Sequence, residues 1–457
     1  MRKGIFIAIG SILIIALVIT GIEVHQAKQF NRNITINHIK VGGLTSNQAM
    51  EKLKKAKLKN EVYIGQKQIL NEKDTTMGIS KKDLPQIDKI LKEQRTFFPS
   101  SKTKDYTLQT KNGAQLQSQK KSLEDKLKLM NKNLTAPKDA QAHWDHEKII
   151  ISKSQKGKQY DITKLLKLYG EQKYNSEIHL EPAYILPIEA NSPIVKKEKE
   201  MLQKLMKQTV QYKLQEHDYA FKASELITEA TVSRDLKYHI NPAGIKQKLS
   251  DLNDEKSTLH KNYTFKTHSG KVITVKGESY GWAIDIDGEA TGIEKAFAKG
   301  QKSIKAYNIY GIGYSTYGIG YHVTTNHGIG NTYAEVSIQD QKIWIYKDGQ
   351  LKVTTHVVTG RHDTHEDTPT GVWYIMYKES PSILEGSEVG NPHYSIKVQY
   401  WAPFTNSGCG FHDASWRTNW SNKAYLTQGS GGCVNTPPSV MKKVYDNLSQ
   451  NEPVIIY

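Results

Sequence analysis

An uncharged run of nineteen residues, 4–22 (GIFIAIGSILIIALVITGI), follows Arg2 and Lys3, and no later segment is as long and apolar. As a helix rising about 1.5 Å per residue, the run reaches roughly 28 Å, close to a bilayer's hydrocarbon core. Leading cations favour a cytoplasmic tip. The run therefore predicts an N-terminal cytoplasmic tip and transmembrane anchor over residues 1–24. The chain is then a single-pass protein of the cell membrane with its bulk outside, on the cell-wall side. A cleaved signal peptide is the rival reading, but its apolar region is usually shorter and no clear A-x-A site follows.

An exported chain of 457 residues is too long for one core and predicts several domains. Its 63 Lys and Arg exceed 46 Asp and Glu, a net charge of +17, and the lysines are scattered rather than clustered. Outside the cell this argues against nucleic acid as a partner. It leaves a solvated basic surface, or anionic wall polymers as a counter-surface. The 25 Tyr, 9 Phe and 7 Trp are too many for a disordered chain. Two cysteines, Cys409 and Cys433, exclude a disulfide-rich scaffold and a four-cysteine zinc site.

Residues 25–40 read as a polar, partly extended stalk. Thr45 and Gln48 form a capping-box pattern at the start of a helix. A helix, strands, helix pattern then recurs about every 75 residues. It begins with helix 46–57, strands 60–70 and LPQIDKILKEQ. It returns as helix 122–132, strands 143–152 and helix 160–172, and again as helix 197–210, strands 210–227 and helix 240–254. Met201, Leu202, Leu205, Met206 and Val210 share one helical face, as core residues do. Strands with a turn at Ser269-Gly270 follow, then a Gly- and Tyr-rich connector between Gly311 and Gly330. From Asn331 onward, short alternating strands with a hairpin turn at Lys347-Asp348-Gly349 predict a mostly β block with one helix at 438–450.

The sharpest chemical signal is Gly429-Ser430-Gly431-Gly432-Cys433-Val434-Asn435. Glycines leave a cysteine open to approach, and the backbone N–H groups around Gly432 can converge on an oxyanion. A thiol needs a base to become a nucleophile. His412, in Gly410-Phe411-His412-Asp413, is the nearest upstream candidate and can sit on a neighbouring strand. Buried structural residues are the competing reading of the same pair. Cys409 reads as a free structural thiol or as a disulfide partner that would block Cys433.

The C-terminal block resembles the L,D-transpeptidase catalytic domain of the YkuD-like family. The resemblance rests on several ordered motifs: Tyr333-Ala334-Glu335-Val336, Lys347-Asp348-Gly349, Val358-Thr359-Gly360 and Thr368-Pro369-Thr370-Gly371. It continues through Gly410-Phe411-His412-Asp413-Ala414-Ser415-Trp416 and Ser430-Gly431-Gly432-Cys433-Val434-Asn435. Residues 37–328 resemble the peptidoglycan-binding modules of membrane-anchored Gram-positive members, chiefly through Gly277-Glu278-Ser279-Tyr280-Gly281-Trp282-Ala283-Ile284-Asp285.

The implied fold is multi-domain. It has an N-terminal transmembrane helix, a stalk (25–40), α+β repeat-like modules (41–193 and 194–328) and a C-terminal mostly-β catalytic domain (330–457), a YkuD-like β-sandwich. The implied reaction is L,D-transpeptidation of peptidoglycan stem peptides through a cysteine thioester, with tetrapeptide donor and amine acceptor, no cofactor and no metal. Cys433 is the implied nucleophile, His412 the general acid and base, Ser430 an orienting residue and Gly432 an oxyanion N–H donor. Asn435, Trp401, Trp416, Tyr425 and Gly431 are implied pocket residues. Gly431 stands where the family usually has histidine. Carbapenem-type β-lactams are implied acylating agents.

Three other readings remain open. An L,D-carboxypeptidase would use water as acceptor, and a non-catalytic wall-binding protein would need no thiol. A metal hydrolase would rest on His362-Asp363-Thr364-His365-Glu366-Asp367, but that segment lacks H-E-x-x-H and lies in a turn-rich loop.

Overall fold

The computed structural model describes Leu13 and residues 17–109, 113–175 and 177–457. The expected anchor over 4–22 lies largely outside them. Among the described residues no helix is long and apolar enough to cross a membrane. The chain divides into two compact units, 1–141 with 152–192, and 142–151 with 193–457.

The first unit contains two cores. In one, the helix Ser46–Lys55 starts at the capping box formed by Thr45 and Gln48. It buries Ala49, Met50 and Leu53 in a cluster with Ile87, Ile90 and Leu91 of the helix Leu84–Gln94. The expected stalk belongs to this core rather than to a linker: Phe30, Ile34 and Ile36 are buried in it, and the strand Ile34–Ile36 pairs in parallel with Lys104–Tyr106. Alternating apolar residues in a polar context mark a half-buried strand. In the other core, the hairpin Glu61–Ile64 and Lys67–Asn71 pairs in parallel with Glu177–Leu180. Leu123, Leu127, Leu165 and Tyr169, from helices Gly113–Lys132 and Ile162–Gln172, fill it.

The second unit repeats that plan. The helix Pro193–Met206 ends before the hairpin Thr209–Leu214 and His217–Lys222, which pairs in parallel with Ser303–Lys305. Val210, expected on the helical face, lies on the strand, where its β-branched side chain fits better. Helix, hairpin and helix recur about where expected, with hairpins opening at Glu61, Ala142 and Thr209, but only the hairpins at Glu61 and Thr209 gain a parallel third strand, which needs a long crossover to arrive. The hairpin Ala142–Asp145 and Lys148–Ile151 completes a four-stranded sheet with Glu229–Val232 and Tyr238–Ile240. There the buried Glu198 accepts from Ala142 N at 3.1 Å and pairs with Arg234.

The same unit carries the C-terminal domain. Its strands are β1 (Tyr333–Ser337), β2 (Lys342–Lys347), β3 (Gln350–His356), β4 (Gly371–Tyr374), β5 (Ser382–Glu388) and β6 (Asn391–Val398). They continue with β7 (Trp401–Pro403), β8 (Gly410–Asp413), β9 (Val434–Thr436) and β10 (Pro453–Ile456). Two helices, α1 (Tyr425–Gln428) and α2 (Pro438–Asn447), complete it. The domain is mostly β, as expected. A five-stranded sheet runs β3-β2-β1-β10-β4, and a three-stranded sheet runs β7-β8-β9. Ala334, Val336, Ile343 and Ile345 of the first sheet share one core with Phe411 and Val434 of the second and Met441 and Val444 of α2. The β2–β3 turn is a two-residue loop with Asp348 at φ 52 and Gly349 at φ 78, the left-handed pair that the Asp-Gly sequence supplies.

Candidate active site

Strand β8 sets the site. Its register places His412 opposite Trp401 of antiparallel β7 and opposite Asn435 of parallel β9. His412 is buried at 3% exposure. Its Nδ1 lies 2.9 Å from the Asp413 carbonyl, and its Nε2 lies 3.0 Å from Asn435 Nδ2. The Asp413 carboxylate accepts from Gln399 N and Tyr400 N, each at 2.8 Å, fixing the β6–β7 corner. The Trp416 ring stacks on the imidazole at 5.8 Å, and Trp401 lies 5.9 Å from it.

The thiol sits on the loop entering β9. Gly432 adopts φ +112, a conformation side-chain-bearing residues avoid. A Cβ there would also lie 2.8 Å from Cys409 Sγ. The Ser430 hydroxyl turns onto this loop, donating to the Cys433 carbonyl at 2.6 Å and accepting from Gly432 N at 3.3 Å. Ser430 thus braces the loop that carries Cys433, and the Gly432 amide faces Ser430. Thr368 Oγ1 donates to the Gly432 carbonyl at 2.8 Å. Cys433 Sγ points at the Gly408 carbonyl, 3.5 Å away, and both cysteines are free thiols.

Cys433, His412, Ser430, Gly431, Asn435 and Trp416 line one cavity of about 560 Å³. Trp401 packs with Cys433 from the core side. Tyr425, at the start of α1, instead lies near His362, 6.4 Å between rings, and its carbonyl accepts from His362 N. The segment expected as a solvated loop pairs within itself, His362 with Asp367 at 3.0 Å and Arg361 with Asp363 at 2.6 Å.

Glu388, Tyr394 and Arg417 are among the cavity residues that escaped the sequence reading. Glu388 and Tyr394 come from the β5–β6 hairpin, which forms one wall, and Arg417 comes from the loop after β8. The alternation of SILEGSEVGNPHYSIKV about Gly390 was the available signal for the hairpin. Arg417 Nε and Nη2 donate to Asn435 Oδ1 at 3.1 and 3.0 Å, and Nη1 donates to the Gln428 carbonyl. A Cβ on Gly431 would meet Glu388 Cβ at 3.2 Å, with a Glu366 carboxylate oxygen 3.9 Å away.

Burial dominates the electrostatics. It pushes the Cys433 thiol up to about 12, with Cys409 adding and the Gly410 amide opposing. It lowers His412, against the Asp413 carbonyl. Burial also raises Glu388, with Glu366 adding to the effect and Arg417 opposing it. Burial thus disfavours the charged form of both the thiol and the imidazole.

Residues 331–456 match the family of the L,D-transpeptidase catalytic domain, YkuD. The Enterococcus faecium L,D-transpeptidase catalytic domain, solved by NMR, is 38% identical over 28% of this chain and 96% of its own, with a TM-score of 0.26. The chain belongs to the YkuD L,D-transpeptidase family. Residues 195–305 match a peptidoglycan binding domain family. A longer crystal structure, a cysteine-to-serine variant of the Enterococcus faecium enzyme, is 27% identical over 57% of this chain and 99% of its own, with a TM-score of 0.46. The NMR domain has also been solved acylated by ertapenem, again 38% identical, over 28% of this chain and 97% of its own, with a TM-score of 0.26. No curated protein matches the chain.

Proposed function

We propose that this protein forms 3→3 peptidoglycan cross-links by two acyl transfers through Cys433. The observation that carries the reading is one cavity shared by the Cys433 thiol and the His412 imidazole. In the first transfer, Sγ leaves the Gly408 carbonyl and attacks the carbonyl between the third stem residue and terminal D-alanine of a tetrapeptide donor. His412 Nε2 takes the thiol proton as the C–S bond forms, and Nδ1–H on the Asp413 carbonyl supports the imidazolium. Backbone N–H groups around Gly432 and Cys433 hold the oxyanion once the loop opens from Ser430. The C–N bond breaks, D-alanine leaves with the proton from His412, and a thioester remains. In the second transfer an amine of another stem attacks, His412 removes its proton, and the thiol is regenerated. Trp416 and Asn435 line the donor's path.

The apolar run 4–22 fits a chain held by the membrane with its substrate outside the cell. The charge of +17 suits anionic wall polymers as a counter-surface. Acylation of a relative by ertapenem supports Cys433 as a carbapenem target.

Incubation with a disaccharide tetrapeptide is expected to release D-alanine and give a cross-linked dimer, both lost in Cys433→Ala. Loss of D-alanine without dimer would assign a carboxypeptidase. No product from folded protein would assign a wall-binding role.

A further inference from the structure

The hydrogen bonds around the base run in one direction only. A guanidinium has donors and no acceptor, so the Asn435 atom held by Nε and Nη2 of Arg417 at 3.1 and 3.0 Å is its oxygen. The usual ambiguity of an amide's orientation is thereby removed. The NH2 group must then face His412, and it can only donate. His412 Nε2 is consequently an unprotonated acceptor, and the ring proton lies on Nδ1, directed at the Asp413 carbonyl. The Asn435 backbone is fixed independently by paired bonds with Val358, 2.9 and 3.0 Å. Only the side-chain torsions of Asn435 remain to be set, and Arg417 sets them. Arg417 is itself anchored at the Gln428 carbonyl, at the end of α1 and just before the nucleophile's loop.

We propose that Arg417 is a positioning residue which, acting through the amide of Asn435, holds His412 in the Nδ1–H tautomer, its unprotonated Nε2 accepting from that amide until the thiol proton takes the amide's place. This deepens the reading of His412 as base and rests on it. Without Arg417 the amide is free to turn. Its oxygen would then accept from an Nε2–H while Nδ1–H stays on the Asp413 carbonyl, and both nitrogens would carry protons. That arrangement favours imidazolium, which is useless as a base. The charged groups facing the ring are Asp413 on its own strand, Arg417 from the following loop, and Cys433 and Glu388 across the cavity.

The test is ring 15N NMR of His412 with kcat/KM against pH, on the full chain. Wild type is expected to show the Nδ1–H tautomer. In Arg417→Met the imidazolium persists to higher pH. The acidic limb of kcat/KM moves up by about one unit, and activity at neutral pH falls about tenfold. Arg417→Lys, with one donor to the same oxygen, restores part of the shift. Asn435→Asp, which only accepts, reproduces it. In an Asn435→Ala background, Arg417→Met adds no further shift. A shift that persists in that background would show a direct charge effect and overturn the relay. Lower thermal stability with unchanged tautomer and limb would reduce Arg417 to a structural role and also overturn it. Because NMR reads the tautomer without turnover, failure of the base reading is seen separately, as full activity in His412→Ala.

Discussion

Burial makes the same demand on Cys433 and His412, disfavouring the charged form of each. Burial raises the thiol to about 12 and lowers the imidazole. The free enzyme should therefore react slowly with iodoacetamide near pH 7. The alkylation rate should climb about tenfold per pH unit through pH 8–11, as the thiolate fraction grows. A plateau below pH 8 would mean a preformed thiolate–imidazolium pair. Cys433 and His412 were legible in sequence as candidates for one site, since each sits in a short motif whose chemistry is local, and they line one cavity. Arg417 and Glu388 were not, because each matters only for what the fold brings against it. Gly431 was legible as a departure, but not its consequence: the side-chain space there faces Glu388.

At the scale of elements, local signals predicted local structure. The Thr45 cap, the Lys347-Asp348-Gly349 hairpin and the turn at Gly270 all fall where expected. Pairings across long crossovers were hidden, because periodicity identifies a strand and not its neighbour. The hairpin at 142–151 is the telling case. It precedes the second unit's main segment yet sits inside its four-stranded sheet, beside the buried Glu198. A fragment 194–457, lacking that hairpin and leaving Glu198 less satisfied, should melt several degrees below the second unit of the full chain and bind hydrophobic dye. Equal melting temperatures would show that the hairpin is dispensable.

At the scale of the molecule, the catalytic domain is continuous with the module before it. Tyr263, Phe265 and Tyr280 share a core with Val372, Tyr374 and Ile455. Glu278 N donates to the Val372 carbonyl at 3.1 Å, and Val372 N to the Lys276 carbonyl at 2.9 Å, covering the outer edge of β4. Such coverage leaves no bare edge strand on that side, and it ties the scaffold of the site to residues of the preceding module. Transfer by the proposed route needs a covalent bond to one sulfur, that of Cys433. The most direct measurement is mass spectrometry of acid-quenched enzyme after brief mixing with a disaccharide tetrapeptide, followed by peptide mapping. The account predicts a mass gain equal to the donor less D-alanine, carried by the peptide containing Cys433 and absent in Cys433→Ser. Release of D-alanine with no adduct on Cys433, or with undiminished rate in Cys433→Ser, would contradict it.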